Sequence, residues 1–372
     1  MTREEYRAAM LDAAWLIACV VRGVTPDRQR VEGMDLALLY EASRKHMLEA
    51  AVAMALEMAG VSDERFVKTL AREQRTAMLQ ERDCAAVQER LEEAGIWYMP
   101  LKGAVIRELY PRFGMREMSD IDILFDADRT PEVRQIMEGL GFRTEEYEHY
   151  NHDIYKKPPL SCFEMHRSLF EEGARPEMYA YYKHVKERLV PDEGKRFGYH
   201  FTDEDFYLYL TAHEFKHYTD RGDGLRALLD TYVFLRAKPL DMAYVAREAE
   251  KLGICEFEEK NRALAFHLFD GESLTGEEKD RLNYMIDAGI EGLAENDVQN
   301  KISGKGRLGY LLSRLHPSRT RMMEEYPVLK KARLLMPVFR LWRLFRGLFS
   351  FNLAYRKAEL QALLGQGKKP EE

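Results

Sequence analysis

The sequence predicts an α+β protein: a short mixed-sheet core flanked by helical N- and C-terminal regions. Three observations predict it. Residues 1–92 repeat apolar side chains at three- and four-residue spacing and are rich in Ala, Glu, Arg, Met and Leu. At Gly95 the texture changes to short runs of aromatic and branched residues broken by Gly and Pro, and this alternation persists to about residue 170. Helical periodicity returns from Asp203 to about Ile290. The expected division is a helical region (1–92), the mixed core (93–200), a second helical unit packing on the cleft (201–300), and a basic-apolar helical segment with a polar tail (301–372).

Taken in order, 34–59 and 66–91 carry the clearest helical spacing. Residues 96–101, "IWYMPL", read as a strand, Gly103 as a break, and 104–110 as a short helix. A Pro- and Gly-containing loop (111–114) leads into the strand of 118–125, "MSDIDILF". Residues 131–140 form an amphipathic helix stopped by Gly141. Two further strands are expected at 150–156 and 161–167, and a disordered polar tail at 368–372.

The totals narrow the function classes. A chain of 372 residues suffices for two or three domains. A net charge of −7 supplies no global basic field for duplex nucleic acid. The four cysteines (Cys19, Cys84, Cys162, Cys255) lie far apart without a C-x-x-C pair, which speaks against a zinc ribbon or disulfide framework and for a reducing compartment. The apolar run 13–21 is shorter than a membrane span and lacks a convincing cleavage site. A cytoplasmic protein with no transmembrane span is expected.

The chemistry is sharpest at Asp120 and Asp122. Strand side chains alternate faces, so the two carboxylates point the same way, about 7 Å apart, while Ile121 and Ile123 point into a dry core. Two like charges on one face repel unless a cation sits between them, and Mg²⁺ (or Mn²⁺) takes such oxygen ligands together with substrate phosphates. A two-metal clamp needs a third carboxylate. Glu164, in "CFEMHRS", offers one from a later strand and shares its face with Cys162 and His166. Solvated aspartates on an exposed strand would look the same in isolation.

The run "LKGAVIRELYPRFGMREMSDIDILF", a helix, then "FEMHRSL" resembles the nucleotidyltransferase (polymerase-β-like) superfamily. More narrowly it resembles a bacterial family known only as uncharacterised nucleotidyltransferases. The likeness spans most of the chain and is most specific over 98–170. It implies a nucleotidyltransferase-fold sheet and a Mg²⁺-dependent transfer of a nucleoside monophosphate from an NTP to a hydroxyl. Asp120, Asp122 and Glu164 would be the catalytic metal ligands, with Lys102 and Gly103 along the nucleotide phosphates. The acceptor (protein, RNA or small molecule) is not implied. One departure is the turn Lys102-Gly103-Ala104, where the superfamily usually has Gly followed by Gly or Ser. Lys102 could act there as a point charge on phosphate, or lie as an ordinary lysine at a strand end. Arg116 and Ser119 read as phosphate contacts, supports of the metal site or loop residues. His166 reads as a partner of the metal site, a general base or a polar cap. A non-catalytic nucleotide- or partner-binding module of the same fold is the alternative. Changing both Asp120 and Asp122 to Asn is expected to abolish Mg²⁺-dependent turnover and spare the fold.

A competing motif is His213-Glu214-Phe215-Lys216-His217, which matches H-E-x-x-H and would give a zinc hydrolase. The glycine expected between His217 and a third ligand at Asp223 is Asp220. Helical phasing also puts Phe206, Leu210, His213 and His217 on one stripe. The resembled family packs such a helix near the nucleotide cleft, so these histidines would touch phosphate or base, or be core residues. Asp230 reads as a structural carboxylate orienting a histidine or Arg226, or as a substrate contact. His149 and His152 receive no role.

Residues 329–349 mix large apolar groups with six cations. On a helix after Pro337, Arg340, Arg343 and Arg346 gather on one side, opposite Val338, Leu341, Trp342, Phe345 and Phe349. The segment either docks on the core or makes a surface contact with a membrane or RNA.

Overall fold

The computed structural model describes residues 2–290, 292 and 294–349. The 368–372 tail and the side chains of Phe345, Arg346 and Phe349 lie outside the described residues. The fold is α+β, with one five-stranded mixed sheet.

Five helices open the chain, at Arg3–Val21, Arg28–Glu32, Leu36–Arg44, Glu49–Met58 and Glu64–Ala94. The first starts with a capping box, in which Thr2 accepts from the Glu5 amide and Glu5 accepts from the Thr2 amide. The 34–59 pattern splits into two helices because the backbone turns at Met47, which has φ 51. The 31-residue Glu64–Ala94 helix begins at an Asp63 cap and stops at Gly95, which takes the left-handed conformation (φ 68) that suits a helix end.

The sheet consists of β1 (Tyr98–Pro100), β2 (Ile121–Phe125), β3 (Arg143–Glu146), β4 (His152–Lys157) and β5 (Ser161–His166), in the order β1-β2-β5-β4-β3. β2 and β5 run parallel; the other pairs are antiparallel. Strand alternation divides β2 cleanly. Ile121, Ile123 and Phe125 join Phe163, Met165 and Tyr155 against Cys84, Val87 and Leu91 of the long helix and Val133 and Met137 of Thr130–Gly139. The opposite face carries Asp122 and Glu164.

That opposite face is roofed by the helix Asp203–Asp220. Helices follow at Leu225–Ala237, Met242–Leu252, Cys255–Asp270 and Gly276–Ala288. These helices and the N-terminal ones share one apolar cluster, which reaches the sheet at Met99 and Leu124. The roof is therefore fixed to the sheet through a common core. β3, with its sequence Arg-Thr-Glu-Glu, escapes the alternation argument because all four side chains are at least partly exposed. The 150–156 strand begins two residues later than expected, at His152.

Beyond residue 290, a kinked helical run (Ala294–Leu315) precedes Arg319–Glu325, Val328–Lys331 and Met336–Phe349. Among the described residues no helix is long and apolar enough to cross a membrane.

Candidate active site

The site begins with a strained turn. Lys102 follows β1 at φ 44, ψ −118, a region L residues rarely adopt. The Leu101 amide donates to the Asp122 carbonyl at 2.9 Å, which ties the turn to β2. The result aims the Lys102 ammonium across the strand end, where Nζ donates to Asp122 Oδ1 at 2.6 Å. Gly103 starts the next helix in a space without room for a side chain. A methyl group there would overlap the Arg116 guanidinium and stand 2.6 Å from the Met118 sulfur.

The parallel register of β2 and β5 sets Asp122 opposite Glu164. His166, two residues on, shares that face, and its Nε2 lies 2.8 Å from Asp122 Oδ1 and 3.5 Å from Glu164 Oε2. Asn151 Nδ2 stands 3.5 Å from His166 Nδ1 and donates to the Ser168 carbonyl at 2.8 Å. Across β4, His152 pairs in register with His166, and its Nε2 is 3.8 Å from Glu164 Oε1. The ligating atoms of His152, Glu164 and His166 lie within 4.8 Å of one another, an arrangement able to hold a metal ion.

Electrostatics separates the two aspartates. Burial opposes ionisation of Asp122, but Lys102 and His166 outweigh it and hold this carboxyl well below its usual range. Asp120 makes no ion pair among the described residues, and Lys102 favours its ionised form too little to offset burial. Asp120 accepts from the Ser119 hydroxyl at 3.0 Å, and burial, reinforced by Asp122, raises its affinity for a proton. Burial also disfavours ionised Glu164, yet His166 and Lys102 lower its pKa. His166 is raised: burial opposes its charge, and the bonds to Asp122 and Glu164 restore it. His152 is pushed down to about 4 by burial and by His166, so it is neutral at pH 7.

Arg116 is held rather than free. It donates from Nε and a terminal nitrogen to the two oxygens of Asp230 at 2.8 and 2.7 Å, and Tyr110 donates to Asp230 at 2.6 Å. Both partners are buried. Asp230 is thus a structural carboxylate, though its partner is Arg116. Arg226 donates instead to the Glu117 carbonyl at 3.0 Å.

On the roofing helix, His213 and His217 turn toward the sheet with their Nε2 atoms 3.1 Å apart. Burial, then neighbouring cations, keeps both neutral: His213 falls well below its usual value and His217 to about 3. Glu214 lines the same cleft but is tied to the neighbouring helices. It is buried and accepts from Thr231 at 3.3 Å and Asn261 at 3.0 Å. Among the described residues no third protein ligand joins the two histidines.

All ten expected site residues line one cleft of about 490 Å³: Lys102, Gly103, Arg116, Ser119, Asp120, Asp122, Glu164, His166, His213 and His217. Lys216, Asp223 and Arg226 line it too. Lys216 loses proton affinity through burial and then Lys102; Arg226 does so through burial and then Arg116. Cations are therefore crowded beside carboxylates, and an anionic ligand would relieve the first set as a cation would relieve the second. The reading from sequence missed His152, Asn151 and Lys216. His152 had a usable signal: a hairpin turning near Pro158-Pro159 brings 152 opposite 166.

Residues 32–270 match the family described as an uncharacterised nucleotidyltransferase, and the chain belongs to that family. No curated protein and no solved structure matches the chain.

Proposed function

We propose that the protein is a Mg²⁺-dependent nucleotidyltransferase that moves a nucleoside monophosphate from an NTP to a hydroxyl acceptor. The observation that carries this reading is the register pairing of Asp122 with Glu164, with Asp120 beside them making no ion pair among the described residues. Three carboxylates at one strand end are hard oxygen donors of the kind Mg²⁺ takes. Asp120, Asp122 and Glu164 would hold the ion; Mn²⁺ would also tolerate the imidazoles of His152 and His166. When bound, Mg²⁺ supplies charge neutralisation at the phosphates.

The remaining work falls to the chain's own groups. Lys102 presents a compact ammonium to the phosphates. Arg116, fixed by Asp230, holds a guanidinium against Gly103 without freedom to swing. His166 keeps a proton between Asp122 and Glu164 and can accept or release one at the acceptor hydroxyl. His213 and His217, both neutral, can hydrogen-bond phosphate or base from the roof. Catalysis on this plan is positioning and electrostatics.

One observation favours the second reading, a nucleotide-binding module without transfer. Lys102 and His166 both occupy Asp122 Oδ1, the oxygen a cation would use. The test is the D120N variant, assayed for NTP binding by calorimetry and for Mg²⁺-dependent pyrophosphate release over a broad acceptor screen. Release by wild type and its loss in D120N supports the transferase. Binding without release from wild type supports the module. Unchanged release in D120N sinks the assignment.

A further inference from the structure

The Met336–Phe349 helix is docked the wrong way round for a helix that merely packs on a protein. At 100° per residue, Met336, Phe339, Arg340 and Arg343 share one side. That side is the one turned inward. Met336 and Phe339 pack against Met322, Tyr326 and Leu329. Arg343 donates to Glu325 at 3.0 Å and to the Arg314 carbonyl at 2.9 Å, and Arg340 donates to the Pro317 carbonyl at 3.4 Å. The outward side carries Val338, Leu341 and Trp342, which are 59, 68 and 57% exposed; Leu334, just before, is 95% exposed. Arginines are inside and a tryptophan and leucines are outside.

Charge identifies what the outward side meets. No Asp or Glu occurs between Glu325 and Glu359, in a chain whose net charge is −7. Lys330, Lys331 and Arg333 are exposed beside the apolar strip. Two copies packed through this strip would bring these cations against their own equivalents. An apolar strip edged by cations, with a tryptophan at its margin, suits the boundary of a bilayer carrying anionic headgroups. We propose that the 328–342 segment seats the protein on an anionic phospholipid surface, with Leu334, Val338, Leu341 and Trp342 entering the interface. The Arg319–Glu325 helix that the segment packs against is tied to the core near the cleft: Glu324 accepts from the Gly173 amide at 2.9 Å, and its carbonyl accepts from the Tyr150 amide at 3.2 Å. Seating is therefore transmitted to the enzyme's rim without a long linker.

The test is flotation of the full chain with phosphatidylcholine vesicles, with and without phosphatidylglycerol. Expected is binding to the phosphatidylglycerol vesicles, at least tenfold weaker binding to phosphatidylcholine alone, and weakening by salt. L341E/W342E changes only exposed side chains, so its circular dichroism and NTP calorimetry should match wild type while flotation is lost. K330Q/K331Q should weaken binding by roughly fivefold for each charge removed. Absence of flotation by wild type overturns the proposal, as does undiminished flotation of L341E/W342E. A dimer in sedimentation equilibrium that L341E/W342E breaks, without vesicle binding, would assign the strip to a second copy instead.

Discussion

Two short motifs in this chain promise metal chemistry, and they meet opposite fates. The D-x-D of β2 and the E-x-H of β5 lie 42 residues apart, yet parallel pairing sets Asp122 beside Glu164 and His166 on one face. The H-E-x-x-H of the roofing helix is contiguous and lines the same cleft, yet it does not work as a unit: Glu214 is tied to Thr231 and Asn261, and among the described residues no third ligand joins the two histidines. Strands of period two keep alternate residues together whatever else surrounds them. On a helix, a neighbour stands about 100° away, and packing decides which way it looks. A spacing motif is therefore worth more when its secondary structure enforces the shared face.

The largest effects should come from breaking the strand motif, and its two aspartates should break differently. D120N removes a carboxylate that makes no ion pair among the described residues and whose charge burial disfavours, so stability should hold or rise by up to about 1 kcal/mol. Mg²⁺-dependent turnover should nevertheless fall by about a thousandfold or more. D122N strips the counter-charge from buried Lys102 and His166. It should lose turnover and also about 3–5 kcal/mol of stability. D120N alone is therefore a cleaner probe of the site than exchanging both aspartates. Urea midpoints of the two single variants check the contrast, and equal midpoints would refute it.

A second prediction concerns how the helical regions are held around the site. His46 is fully buried; its Nδ1 accepts from the Leu225 amide at 3.0 Å, and its Nε2 lies 3.1 Å from the Ile286 carbonyl. It joins the N-terminal helices to the later ones. Burial pushes its pKa down to about 4, and protonating Nδ1 would forfeit the amide bond. The folded value lies below the unfolded one, near 6.5, so this stabilisation is complete above that pH and disappears as pH falls toward 4. The span corresponds to about 3 kcal/mol. Urea midpoints measured from pH 7 to pH 4 should fall, and H46Q should flatten the slope. An unaltered slope in H46Q would assign the acid sensitivity elsewhere.

Much of the site was legible in the sequence because strand alternation is local. The D-x-D face, the Glu164–His166 face and the dry Ile121–Ile123 side all follow from counting by two. The Arg116–Asp230 pair was not legible: it joins a loop to a helix 114 residues away, and neither segment signals the other. The Lys102 conformation was equally hidden, since a lysine offers no cue for positive φ. In the C-terminal segment the two faces were legible, but not which one docks, because that depends on Glu325 and on carbonyl oxygens elsewhere in the chain.

Gly103 sharpens the role of that hidden pair. In G103A, the new methyl group would push Arg116 off Asp230, at a cost of about 1–3 kcal/mol for an overpacked buried site. NTP affinity should fall with it. Gly139 supplies the control: a methyl group there meets nothing within 4 Å, so G139A should be neutral or stabilising by up to about 1 kcal/mol. Calorimetric NTP titration and thermal melts of both variants measure the difference. G103A with unaltered melting and affinity would mean that Arg116 is not held in place by its neighbours.

The smallest effect should come from the helix motif itself, and its smallness is what gives it force. Burial raises the Glu214 pKa well above the usual carboxylate range, which favours the uncharged side chain. Glutamine has nearly the same shape and no charge, and can still accept from Thr231 and Asn261. E214Q should therefore change stability by less than about 1 kcal/mol and leave nucleotide turnover near wild type. A zinc hydrolase would instead lose its base, and its purified protein would carry stoichiometric metal that H213A releases. Metal analysis of wild type and H213A, beside the E214Q melt, separates the cases. Zinc lost in H213A together with full turnover in D120N would transfer the chemistry from the sheet to the helix.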